Sequence, residues 1–221
     1  MKRLATHVPS ATVLLTGFDA FGGEAINPSW LVAQALQGEI LQGHLVVAAQ
    51  LPTEFAASGK RLSALLRKHQ PTLVFCLGLA GGRACLSLER IAINIQDARI
   101  ADNIGAQPID VPAVESGPAA YFSTLPIKAM LQALTAANIP AEVSQTAGTF
   151  VCNHVFYELM HVLKKQGSIA DARGGFVHVP YLQGQGLPCM TLEDMVCGIR
   201  IAVECALTNH SDALFGAGAL N

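Results

Sequence analysis

Four short, almost unbroken apolar runs constrain this chain more than any other feature. They are "TVLLTGF" (12–18), "HLVVAAQL" (44–51), "PTLVFCLGLAGG" (71–82) and "GGFVHVPYL" (174–182). Each is too short for a core helix and apolar on successive residues, the pattern of a strand covered on both faces. Helical patterns lie between them. "PSWLVAQALQG" (28–38) opens on Pro28 and closes on Gly38, and "TEFAASGKRLSALLRKH" (53–69) repeats Phe55, Leu62, Leu65 and Leu66 at helical spacing. "LPIKAMLQALTAANI" (125–139) reads as a helix and "PAEVSQ" (140–145) as a strand. Another helix begins near residue 151, and "TLEDMVCGIRIAVECAL" (191–207) closes the chain with Thr191 as its cap. Strands alternating with helices predict an α/β fold of three layers, a twisted, mostly parallel central sheet between helices. With no repeat, linker or low-complexity tract, residues 1–221 read as one domain.

Two segments are less regular. "CLSLERIAINI" (85–95) alternates as one strand, placing Glu89 on a face with Ile91, Ile93 and Ile95. Residues 97–124 have no clear periodicity, and a stretch of that length points to a folded loop over a site.

Composition removes whole classes of function. Hydrophobic residues make up 51% and charged ones 14%, which excludes a disordered chain. A net charge of −2 carries no electrostatic footprint for nucleic acid. No apolar run approaches a membrane span, and His7, Pro9 and Ser10 interrupt the basic start where a signal peptide needs an apolar stretch. The expected location is cytoplasmic. The six cysteines, Cys76, Cys85, Cys152, Cys189, Cys197 and Cys205, form no CxxC pair and read as reduced thiols.

Cys152 stands apart because it falls in the first turn of a helix. There the macrodipole and unpaired amides lower a thiol's pKa and can hold an oxyanion. The alternative is packing at a helix start. A nucleophilic cysteine needs a base and a group to orient it. His154 is two residues away and faces elsewhere, and His161 is out of reach along the helix. His7, His44, His69 and His210 sit near a terminus or at polar element ends. His178, near the end of a strand, is either the base or a histidine capping that strand. Glu89, a carboxylate among isoleucines, needs a partner, either a catalytic histidine or an arginine such as Arg83 or Arg99. Metal and phosphate sites are poorly supported. "HVFYELMH" spaces its histidines by seven, and "GFDAFGG" lacks both the GxGxxG pattern and a GK[ST] ending.

The blocks "LLTGFDAFGGEAINPSW", "GLAGGR", "ERIAINIQDARIADNIGAQPID", "GPAAYFSTLPIKAM", "TAGTFVCNHVFYELMH" and "RGGFVHVPYL" occur here in order. Over about Thr12 to Leu182 the chain resembles the pyroglutamyl peptidase I family of cysteine peptidases. The resemblance implies removal of an N-terminal pyroglutamyl group from peptides through an acyl-enzyme, without metal or organic cofactor. It also implies a single α/β/α domain and a homo-oligomer, commonly a tetramer. The family's catalytic positions fall on Glu89, Cys152 and His178. Its substrate-binding positions fall on Phe18, Phe21, Asn27, Thr53, Leu79, Arg99, Ile100, Phe150 and Val151, with Arg99 assisting the oxyanion. Leu79 stands where many relatives carry glutamine, and "QGQGLPC" follows "HVPYL" where bacterial relatives more often read "PEQ". A scaffold that binds without turnover and a thiol redox sensor built on Cys152 remain the competing classes.

Overall fold

The computed structural model describes residues 11–165 and 171–218, so the basic start with His7, Pro9 and Ser10 lies outside the described residues. Its first unit is β1 (Ala11–Phe18), α1 (Pro28–Ala35), β2 (Ile40–Leu41), β3 (His44–Leu51) and α2 (Phe55–His69). Next come β4 (Leu73–Leu79), β5 (Leu86–Glu89), β6 (Ile91–Ile93), β7 (Ala120–Phe122), α3 (Ile127–Ala136) and β8 (Ala141–Ser144). The chain continues through α4 (Val151–Lys165), β9 (Arg173–Val179), β10 (Tyr181–Leu182), β11 (Cys189–Met190) and α5 (Leu192–Thr208).

Seven strands form the central sheet in the order β2-β3-β1-β4-β9-β5-β8. Four neighbouring pairs are parallel, and only β2–β3 and β5–β9 are antiparallel. Helices α2 and α4 pack together over one face, and α1, α3 and α5 over the other. Each face has its own core. Leu14, Val74, Phe156 and Phe176 belong to the first, and Val13, Phe75, Val177 and Ile199 to the second. Alternate residues of β1, β4 and β9 thus feed opposite cores, which is why these strands carry no polar face.

Local chemistry matches the element boundaries. Asn27 caps α1, its Oδ1 accepting from Ser29 N at 3.1 Å ahead of Pro28 at the first helical position. Thr191 caps α5 by accepting from Asp194 N at 3.0 Å, as its sequence context predicts. Gly17 lets α1 start against β1, because a Cβ there would sit 2.4 Å from the carbonyl oxygen of Ser29.

Two expectations are corrected. Residues 85–95 do not form one strand. β5 stops at Glu89, and β6 leaves the sheet to pair antiparallel with β7. Glu89 therefore does not share a strand face with the three isoleucines. Alternation is the same before and after a break, so it could not reveal one at Arg90. The 97–124 segment is a folded loop, but it ends in β7, and its first half is built of backbone rungs. Gln96 exchanges hydrogen bonds with Val111, while Ala98 N donates to Pro108 O and Asp102 N to Ala106 O.

Candidate active site

The register of three strands gathers the site. Gly78 of β4 lies opposite His178 of β9, and Cys76 lies opposite Phe176. Across the antiparallel β5–β9 ladder, Ser87 faces His178 and Glu89 faces Phe176. Paired positions project to one side of a sheet, so Cys76, Gly78, Phe176, His178, Ser87 and Glu89 all point toward α2 and α4. Cys152, in the first turn of α4, comes down onto them. Its Sγ is 2.8 Å from where a Cβ on Gly78 would be, so the missing side chain is the space the sulfur occupies.

Glu89 is fully buried and is shared by two cations or donors. His178 Nδ1 donates to Glu89 Oε1 at 2.7 Å, and Arg83 Nη1 donates to the same oxygen at 2.7 Å. The two partners considered for this carboxylate, histidine and arginine, are both present. Arg99 is not one of them. Glu89 Oε2 is buried without a partner among the described residues. His178 is 4% exposed, and its ring packs on Phe176 at 4.8 Å. With Nδ1 engaged by Glu89, Nε2 remains for the cavity.

The cavity has a volume of about 150 Å³ and is lined by Phe18, Phe21, Asn27, Thr53, Leu79, Ala147, Phe150, Val151, Cys152 and His178. Aromatic rings build its wall. Phe21 lies 5.9 Å from Phe150, and Phe150 meets Phe55 edge-on at 5.3 Å. Asn27 is buried and largely committed. Its Oδ1 accepts from Ser29 N and Ser29 Oγ, and its Nδ2 donates to Asp19 O at 2.9 Å. Asp19 Oδ1 in turn accepts from Thr53 N at 2.7 Å, tying the β1–α1 and β3–α2 loops together around the pocket.

The 97–112 loop is pinned to the same rim through Asp102. Its Oδ2 accepts from Phe55 N at 3.0 Å and its Oδ1 from Ile104 N and Ala106 N. Asn103 Nδ2 reaches Ala20 O at 2.9 Å. Arg99 and Ile100 ride on this loop but are exposed, and neither lines the cavity.

The thiol itself departs from expectation. Burial pushes Cys152 up to about 12, Glu89's negative charge adds to that, and Arg83 and the residue's own amide pull it down. The first-turn position does favour a thiolate, but desolvation is the larger effect. Burial therefore favours the thiol form. The first-turn amides of α4 have no acceptor within the helix, and that of Cys152 itself bonds the thiol.

Sequence reading singled out Cys152, His178 and Glu89, and seven of the nine substrate-binding positions that the resemblance implied line the cavity. It missed Ala147, a small residue with no chemical signal, and Gly78, whose role exists only in the register. Arg83 was visible as a cation six residues before Glu89. Its link to the loop before Cys152 was not. Among the described residues, no three His, Cys, Asp or Glu side chains converge as metal ligands.

Comparison with known proteins gives the family of the chain. A family model described as pyroglutamyl peptidase matches residues 11–209. The pyrrolidone-carboxylate peptidase of Cupriavidus necator is 54% identical over 215 residues, covering 95% of this chain and 99% of that protein. That of Bacillus cereus (strain Q1) is 52% identical over 206 residues, covering 91% and 95%. The crystal structure of pyroglutamyl peptidase I from Bacillus amyloliquefaciens superposes with a TM-score of 0.90 at 42% identity, covering 93% of this chain and 99% of that one. Pyrrolidone carboxyl peptidase from Thermococcus litoralis gives 0.84 at 37%, covering 90% and 94%.

Proposed function

The chain belongs to the pyroglutamyl peptidase family, and from that premise we propose how its own residues carry the reaction. The protein is a cysteine peptidase that removes an N-terminal pyroglutamyl group from peptides. The observation that carries the residue assignment is the convergence of Cys152 and the Glu89–His178 pair on one small apolar cavity.

Cys152 is the nucleophile, His178 the base and Glu89 the group that holds the imidazole. Proton transfer accompanies attack, because burial disfavours a free thiolate. His178 Nε2 takes the Sγ proton as sulfur bonds to the carbonyl carbon that joins pyroglutamate to the next residue. The resulting oxyanion is held by first-turn amides of α4. Collapse breaks the C–N bond, and His178 returns its proton to the leaving amine. Water then attacks the thioester, giving one proton to His178, and pyroglutamic acid leaves as the thiol is restored. Glu89 stabilises the imidazolium in both halves.

The pocket suits a small neutral ring. Phe18, Phe21, Phe150 and Val151 supply apolar walls, and Asn27 and Thr53 add polar groups to the lining beside Cys152 and His178. Arg99 and Ile100, exposed on the 97–112 loop, are assigned to the peptide beyond the ring, and Leu79 to the cavity wall. Residues 1–221 are taken as one domain, supported by strands from both halves of the chain alternating in one sheet. A cytoplasmic location is supported by six unpaired thiols. A homo-oligomer, commonly a tetramer in the family, is the expected assembly. No helix among the described residues is long and apolar enough to cross a membrane.

The test is release of a fluorophore from a pyroglutamyl amide by wild type, by wild type treated with iodoacetamide, and by Cys152→Ser. Loss of turnover in both controls is expected. Turnover retained by Cys152→Ser would refute the nucleophile.

A further inference from the structure

A carboxylate that meets a guanidinium usually receives it on both oxygens, in a paired fork. Glu89 does not. Both of its donors, Arg83 Nη1 and His178 Nδ1, arrive at Oε1 at 2.7 Å, and buried Oε2 accepts from none of the described residues. The guanidinium and the imidazole therefore compete for one oxygen, and the arginine's charge is felt at the ring.

The rest of Arg83 reaches another part of the site. Nη1 also lies 3.3 Å from Ser144 Oγ, and Nη2 donates to Thr146 O at 3.1 Å. Ser144 ends β8, and Thr146 lies in the β8–α4 connection that leads to Cys152 in the first turn of α4. Ser144 Oγ is itself bonded to Thr146 O at 3.0 Å, so the guanidinium closes a small network rather than touching a loose loop.

We propose that Arg83 is a positioning residue of the peptidase, fixing Glu89 against His178 and bracing the loop that delivers Cys152. The proposal rests on the assignment of His178 as the base. One guanidinium bonded both to Glu89 and to Thr146 O ties the partner of the base to the loop that precedes the nucleophile.

The other ionisable groups around the pair come from several elements. Cys152 approaches from α4 and Cys76 from β4, both raised to about 12 and so uncharged. Glu142 of β8 accepts from Ser87 Oγ at 2.8 Å, next to His178 in the β5–β9 ladder. Arg90 follows Glu89 but turns to Ala217 O. Arg83 is thus the cation in direct contact with Glu89.

The experiment measures kcat and KM separately on a pyroglutamyl amide for wild type, Arg83→Met and Arg83→Lys, with kcat counted per folded molecule from a thermal melt of the same preparation. Arg83→Met should lower kcat about tenfold with KM within about twofold, since the base and the nucleophile lose their shared brace while the pocket for the ring is untouched. Arg83→Lys should recover only part of that loss, because one ammonium lacks the planar fork that reaches both Glu89 and Thr146. A kcat per folded molecule unchanged in Arg83→Met overturns the proposal, whereas a wild type without turnover overturns the peptidase assignment beneath it.

Discussion

Gly78→Ala is the most discriminating single change, because one methyl group tests the packing that sets the nucleophile. The added Cβ would lie 2.8 Å from Cys152 Sγ, 2.7 Å from Phe176 Cζ and 3.0 Å from Phe176 Cε1. Comfortable contacts between such atoms begin at about 3.5 Å, so something must move by nearly 1 Å. Gly78 is not among the glycines with left-handed backbone, so only space opposes the side chain. Phe176 has little freedom. It is 1% exposed, and its ring is wedged among Phe156 at 5.9 Å, Phe18 at 6.5 Å and His178 at 4.8 Å. Cys152 borders the cavity and is the side that yields. A displacement of that size at a reacting atom costs about 100-fold in rate. Overpacking costs about 1–3 kcal/mol, which for a chain of this length lowers Tm by about 2–12 °C. The assay is kcat/KM on a pyroglutamyl fluorogenic amide, beside a thermal melt of the same preparation. Near-wild-type kcat/KM with an unchanged Tm would refute the reasoning, since it would mean that Sγ does not fill the space over Gly78.

Three further outcomes follow from the same geometry. Glu89→Gln keeps the shape but cannot stabilise an imidazolium, so kcat should fall about 10²–10⁴-fold with little change in KM; a kcat unaffected by the change would remove Glu89 from the mechanism. Asp102→Ala strips acceptors from Phe55 N, Ile104 N and Ala106 N, which should cost about 1–3 kcal/mol and raise KM as the 97–112 loop loosens; an unaltered melt and KM would show the loop held by other contacts. His154 is 5% exposed, and burial lowers it from 6.5 to about 4. Its folded-state pKa lies below the unfolded one, so its contribution is present above pH 6.5 and lost as pH falls toward 4, about 3 kcal/mol in all. Urea melts of His154→Gln should show a shallower pH slope than wild type in that window, and parallel slopes would contradict the assignment.

What the sequence alone determined is the part carried by local pattern. The apolar runs of β1, β3, β4 and β9 announce a sheet covered on both faces, and Asn27-Pro28 and Thr191 mark helix starts through capping chemistry that acts within a few residues. Cys152, His178 and Glu89 could be singled out because a thiol in a first turn, a histidine ending a strand and a lone carboxylate in an apolar context are each unusual locally. Their meeting was not legible, since it depends on register between β4, β5 and β9 and on where α4 descends. Only the tertiary structure decided that β5 runs against β9 and ends at Glu89, so that the carboxylate reaches His178 and Arg83 at once. It also reversed the thiol's shift, because desolvation depends on every neighbour that excludes water, whereas the helix end acts from one turn of chain. Arg99 and Ile100 sit in a loop whose course is set by Asp102 on α2's first amide, a contact 47 residues apart in sequence. Local propensity has no reach over such a distance, and packing supplies it.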